Sequence, residues 1–196
     1  MAYYFLFPEK DSTIYSHPDR TQMNTGGDEI LEIVKEKGSS DQRYYPSRVL
    51  IKFKNEEIKD TINKIGSSTF NDGTSKVSLQ LLSSEHKNLV STLNLEAFAV
   101  SQSWDEGTGR FTNLPISSNG CSWIYRDNDI DKTQWTTSSF GTGGGTGSIN
   151  AVGITEGGGV WYTGSLFQGS QQFLRGDNLD TNIDVTTIVQ KHSASL

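Results

Sequence analysis

The carboxylates most invite a chemical reading of this chain. Asp127, Asp129 and Asp131 stand at alternate positions, as the first three ligands of a calcium loop do. Lys132 occupies the place of the glycine such a loop needs and Ser138 that of its bidentate glutamate, which excludes a full EF-hand. A weaker surface calcium site remains open if Asp105 or Glu106 joins the run, and a solvated turn is the alternative. Asp105, Glu106, Asp127 or Glu156 could be paired for glycoside hydrolysis, but any β protein rich in acids allows that construction. His17, His86 and His192 are far apart, and none has the i+3 or i+4 partner of a helical metal pair. Cys121 has no obvious histidine partner, and no Gly-x-Ser-x-Gly elbow occurs. The run Gly141 to Gly147 has no Gly-Lys-Ser/Thr after it, so it makes no phosphate cradle. These spacings point to a protein that is not an enzyme and needs no cofactor, with calcium the one metal its acids could hold.

Aromatic side chains offer a second chemistry. Trp104, Trp123, Trp161 and Tyr162 could stack on a sugar or meet a protein partner if their rings face solvent, or pack inward if they do not. The stretch Leu93 to Gly109 presents the first of them, at the end of a strand in which Leu93, Leu95, Ala97 and Ala99 share one face. Ser103-Trp-Asp-Glu-Gly107 then forms a loop in which Gly107 and Gly109 permit tight turning.

The elements that must position these groups read mostly as strands. Tyr3 to Phe7 is predicted as a strand closed by Pro8, with others at Ser12 to His17 and Glu29 to Val34. Arg48 to Lys54 alternates, with Val49, Ile51 and Phe53 on one face and Arg48, Leu50 and Lys52 on the other. Ile58, Ile62 and Ile65 recur at helical spacing between Asn55, a candidate cap, and Gly66, a helix stop. Lys76 to Ser83 alternates again and is expected to lie beside Leu93 to Val100. Val49, Ile51, Phe53, Val77, Leu79, Leu81, Leu93 and Leu95 are expected to share one core. Val185, Ile188 and Val189 follow Asp184 as a short capped helix.

Twelve of the twenty glycines lie between Gly141 and Gly176, so regular structure there should be short. The sequence therefore predicts an all-β fold: an antiparallel, jelly-roll-like β-sandwich with long Gly-rich loops and one or two short helices, in a single domain over residues 1–196. The net charge of -6, with scattered Lys and Arg, lacks the footprint of a nucleic-acid binder. No run is long and apolar enough for a membrane span or a signal peptide, and a lone cysteine excludes a disulfide within the chain.

With these segments placed, the chain resembles the DNRLRE-type β-sandwich family. The resemblance rests on Asp11 to Ile14, Arg48 to Phe53, Ser103 to Gly107 and Asp184 to Val189, in the family's order. Gly157-Gly-Gly-Val-Trp-Tyr162 is similar to the variant found in structural proteins of tailed phages, especially marine phages with contractile tails. The region that gives the family its name reads Asp41-Gln-Arg-Tyr44 here. The resemblance implies a virion component assembled in a host cytoplasm, touching other virion subunits as a homo-oligomer or hetero-assembly, without nucleic acid or membrane. Its rival is a carbohydrate-binding or adhesion module using Trp104, Trp123 and Trp161. Relatives continue with a further strand after the Asp-Val-Thr segment, so the last strand is expected either beyond Leu196 or from a neighbouring subunit.

Overall fold

The computed structural model describes residues 2–84, 89, 91–129, 132–135, 157–162 and 164–193. Its sheets are antiparallel and its fold is mainly β. Two compact units emerge, Met1–Lys54 with Val100–Tyr162, and Asn55–Ala99 with Thr163–Leu196.

The first unit is built on three paired strands, β1 (Pro8–Tyr15), β2 (Lys35–Lys37) and β3 (Tyr44–Phe53). β3 is central, flanked by β1 and β2. Tyr3 to Phe7 is not a strand, contrary to the sequence reading. Pairing ends at Pro8 opposite Phe53, a helix starts at Asn55, and among the described residues no strand is paired with residues 3–7. Pro8 opens the strand rather than closing one, which suits a residue with no N–H to donate. Glu29 to Val34 is likewise no strand. Its backbone is tied by hydroxyls instead, with Thr13 Oγ1 and Ser47 Oγ accepting from the Glu32 and Val34 N–H groups.

The outer edge of β1 is closed by side chains. Glu106 Oε1 accepts from Asp11 N at 2.9 Å, while Thr25 Oγ1 accepts from Thr13 N and donates to Thr13 O. Such closure keeps another strand from adding there.

Leu50 is the buried residue of the alternating strand, and Val49, Ile51 and Phe53 are half-buried. The sequence put the main core on the other face, because Arg48 looks like a solvent marker. Arg48 instead lies inward. Leu50 joins Ile14, Trp104, Cys121, Trp123, Trp135 and Val160 in one buried cluster.

The second unit holds α1 (Asn55–Ile65), α2 (Ser67–Asn71), β4 (Ser78–Leu81) and β5 (Leu93–Phe98). Ile58, Ile62 and Ile65 are half-buried along α1, and Gly66 follows it at φ 91°, as the sequence indicated. The short strands β6 (Tyr125–Asp127) and β7 (Thr133–Gln134) pair within the first unit, and β8 (Gln168–Phe173), β9 (Thr181–Asp184) and α3 (Thr186–Ser193) complete the second.

β4 and β5 are not neighbours. β4 pairs with β9 and β5 with β8. Side chains from the later segment clamp β4 along its length: Thr186 Oγ1 accepts from Val77 N, Thr181 Oγ1 from Leu81 N and Asp180 Oδ1 from Ser83 N. Nothing in the alternation of β4 reveals those clamps. The eight residues expected to share one core are accordingly divided, Val49, Ile51 and Phe53 in the first unit and the other five in the second. α3 starts one residue later than the sequence placed it: Asp184 ends β9, and its Oδ1 accepts from Thr186 N, the first residue of the helix.

Burial orders the cost of truncation along β3. Leu50→Ala should lose about 2–5 kcal/mol, and Ile51→Ala on the opposite face about 1–2 kcal/mol. Urea unfolding of the two variants checks the order; equal losses would contradict this placement of the core.

Candidate functional site

The acidic loop Ser103-Trp-Asp-Glu-Gly107 docks on β1, and a buried amide holds it there. Asn24 is fully buried. Its Nδ2 donates to Glu106 O at 2.6 Å and to Cys121 O at 2.8 Å, and its Oδ1 accepts from Gly26 N at 3.2 Å and Gly109 N at 2.8 Å. Two donors and two lone pairs are thus all used, which satisfies an amide that would otherwise cost several kcal/mol to bury. The glycines make room for this. At Gly107, φ is 74°, and a Cβ there would collide with Asn24 and Asn119; at Gly120 it would collide with Gly107 itself.

The rest of the loop is bonded in the same way. Asp105 N donates to Arg126 O, and Cys121 N donates to Asp105 O. Lys10 Nζ donates to Trp104 O and lies 4.5 Å from the Trp104 ring centre. Trp104 is buried, so its face meets a lysine of the same chain and not a ligand.

A second constellation surrounds Arg48. Its guanidinium lies 4.6 Å from the ring centres of both Trp123 and Trp161 and donates to Gly158 O. Burial pushes its pKa down to about 10, which leaves it charged at neutral pH. Gly157, Gly158 and Gly159 all have φ between 82° and 87°, and a Cβ on Gly158 would strike Arg48 and the Trp123 ring. Gly157 and Gly158 are therefore close-approach positions, while Gly159 is required by its positive φ alone. Trp161 continues it, bridging to Val100.

Of the residues singled out for sugar or partner contact, Trp104 and Trp123 are buried, Trp161 is half-buried and Tyr162 is exposed. Trp135 is buried too, its Nε1 donating to Ser122 O at 2.9 Å. Asp127 Oδ1 accepts from Asp129 N at 3.0 Å, the bond of a self-contained turn. Asp131 lies outside the described residues, as do Glu156, His86, Ser138 and Gly141 to Gly147. Among the described residues no group of three His, Cys, Asp or Glu is placed to hold a metal ion.

Burial pushes the Cys121 thiol up to about 12, leaving a poor nucleophile. His17 Nδ1 accepts from Asp19 N, and its ring meets Tyr45 edge-on at 5.1 Å. His192 Nε2 lies 3.2 Å from Asn55 Oδ1. Two surface clefts, of about 330 Å³ in the first unit and about 320 Å³ in the second, each present one ionisable side chain, Asp19 and Lys59. Neither cleft pairs an acid with a base. Among the described residues no helix is long and apolar enough to cross a membrane.

Sequence reasoning missed Asn24 and Arg48. For Asn24 the signal was the run Asn24-Thr-Gly-Gly27, a polar residue followed by two that tolerate close backbone approach. For Arg48 it was a lone cation within an apolar strand in a chain with four tryptophans. Protein-family models, curated proteins and solved structures were all compared with this chain, and none matches.

Asp11 beside the acidic loop gives a pH-dependent test. Its pKa is raised by burial and by the charge of Glu106, so the folded state holds its proton more tightly than the unfolded chain does. Ionised Asp11 therefore destabilises the fold at neutral pH, and the penalty vanishes below its unfolded value near 3.8. Asp11→Asn should raise the melting temperature at pH 7, with the gain shrinking towards zero as pH falls below that value. A constant gain at every pH would contradict this origin.

Proposed function

We propose that this chain is a non-enzymatic structural subunit of a tailed-phage virion, a tail, neck or capsid-associated component acting through protein contacts. The observation that carries this reading is how three of the four resembling segments meet in one unit. Asp11 pairs with Ile51, Ile14 pairs with Arg48, and Glu106 accepts from Asp11 N. Residues of those segments are spent on one another, which suits a scaffold better than a site kept open for substrate.

The jelly-roll-like sandwich belongs to the same proposal. It is supported by β3, where Val49, Leu50, Ile51 and Phe53 are all at least half-buried, so that both faces of the strand are covered. Partners would be other virion subunits, in a homo-oligomer or a hetero-assembly, met in a host cytoplasm, with neither nucleic acid nor membrane involved.

A carbohydrate-binding module is the second reading, and one observation favours it: Tyr162 is exposed beside the half-buried Trp161. Inward-turned Trp104 and Trp123 leave that pair without the broad aromatic platform a sugar needs.

Antibodies raised against the purified chain, applied to tailed particles from the same source under the electron microscope, test the proposal. Labelling at one regular position on intact particles is the expected result. Unlabelled particles, together with glycan-array binding abolished by Tyr162→Ala, would replace it with the carbohydrate reading.

A further inference from the structure

The segment just before β1 is apolar, exposed and ordered by residue parity. Tyr3, Phe5 and Phe7 are 76%, 75% and 77% exposed, whereas Tyr4 is 48% exposed and Leu6 is half-buried. Alternation of period two marks an extended segment with one face turned outward. That face carries three aromatic rings in a row, an arrangement that proteins seldom leave in water without a use.

We propose that residues 3–7 are a self-docking arm. Through it two copies of this chain associate about a twofold axis, with Tyr3, Phe5 and Phe7 of one copy packed face to face on the same residues of the other. The inference deepens the reading of the protein as an assembly subunit and rests on it.

Three observations choose a second copy as the occupant. The first is area. At about 200 Å² per aromatic residue, the exposed parts of Tyr3, Phe5 and Phe7 offer roughly 450 Å² on each copy. Two arms together reach about 900 Å², the size of a weak, transient interface, in keeping with association in the micromolar range. The second is geometry. An antiparallel arrangement centred on Phe5 sets Tyr3 against Phe7 and Phe5 against its own copy, so that every contact is aromatic on aromatic. It also keeps the two Glu9 carboxylates at opposite ends of the contact. The third is charge. Residues 2–9 contain no Lys or Arg and end on Glu9, and the next cation, Lys10, is held on Trp104, so the arm lacks the cationic rim of a segment that lies on lipid.

The neighbouring strand leaves this route open and closes another. With the Asp11 and Thr13 amides bonded to Glu106 and Thr25, the β1 edge cannot recruit a strand beyond Glu9.

Sedimentation of the full chain from about 1 µM to about 200 µM tests this. The expected result is a monomer–dimer equilibrium with a midpoint in the micromolar range for the unaltered chain. The double variant Phe5→Ser, Phe7→Ser should be monomeric throughout, with an unchanged melting curve, since neither ring is in the core. Phe5→Cys should form an interchain disulfide on mild oxidation, and the native Cys121, fully buried, should not compete. An unaltered chain that stays monomeric at every concentration, or a double variant that still dimerises, would overturn the inference. So would a monomer that binds phosphatidylcholine vesicles through the arm. An arm-dependent dimer from a chain that labels no particle would retain the arm and remove the virion reading; labelled particles with a monomeric chain would do the reverse.

Discussion

A single buried amide organises the first unit. Asn24 joins the polar loop after β1 to the C-terminal end of the acidic loop, through Glu106 O and Gly109 N, and to the later segment at Cys121 O. Each bond is ordinary in strength, but removing their common partner would leave several buried groups unpaired at once, a far larger cost than one lost hydrogen bond. Close approach of Gly26, Gly107, Gly109 and Gly120 is the steric side of the same constraint, because a side chain on any of them would push the bonded backbones apart. Polar satisfaction and packing therefore depend on each other here. The acids of the loop are placed by this tie, and Glu106 is turned towards the Asp11 amide.

Cations facing aromatic rings supply much of the remaining organisation. Lys10 meets Trp104, Arg48 meets Trp123 and Trp161, and Arg20 lies 4.9 Å from the Phe111 ring centre. A chain only one-third hydrophobic by composition has few aliphatic residues for a core, and wide rings covered by long cationic side chains fill that space. The tryptophans that look like a ligand platform in the sequence are used in this way. Tyr15 follows the same economy, donating to Glu32 at 2.7 Å from a buried ring. Burial first, then the bond to Glu32, raises its pKa.

Local signals were legible and long-range ones were not. The α1 helix could be read to its last residue because Ile58, Ile62, Ile65 and Gly66 follow helical spacing and stop rules that act within one turn. Asp184 announced α3 for the same reason. β4 and β5 could be read as strands from their alternation, but their partners could not, since Thr181, Thr186 and Asp180 clamp β4 from about a hundred residues away. Charge reads as a mark of solvent and points β3 the wrong way, because Arg48 is charged yet half-buried, with its guanidinium against two tryptophan rings. The aromatic run at residues 3–7 reads as a strand on composition alone, whereas among the described residues the strand pairing ends at Pro8 opposite Phe53. Within the acidic loop, the sequence showed residue types that could bind or react, and the structure shows the Glu106 carboxylate and the loop backbone engaged with the chain itself.

Whether the Asn24 tie holds the unit together is open to direct measurement by native-state hydrogen exchange. The amides of Gly109 and Cys121, bonded to Asn24 Oδ1 and Asp105 O, should exchange only through global unfolding, with a free energy equal to that from urea denaturation. Exchange at those two amides as fast as in the exposed turn at Asp72 to Thr74 would contradict the account, since a loop that opens freely cannot be the constraint on which the unit depends.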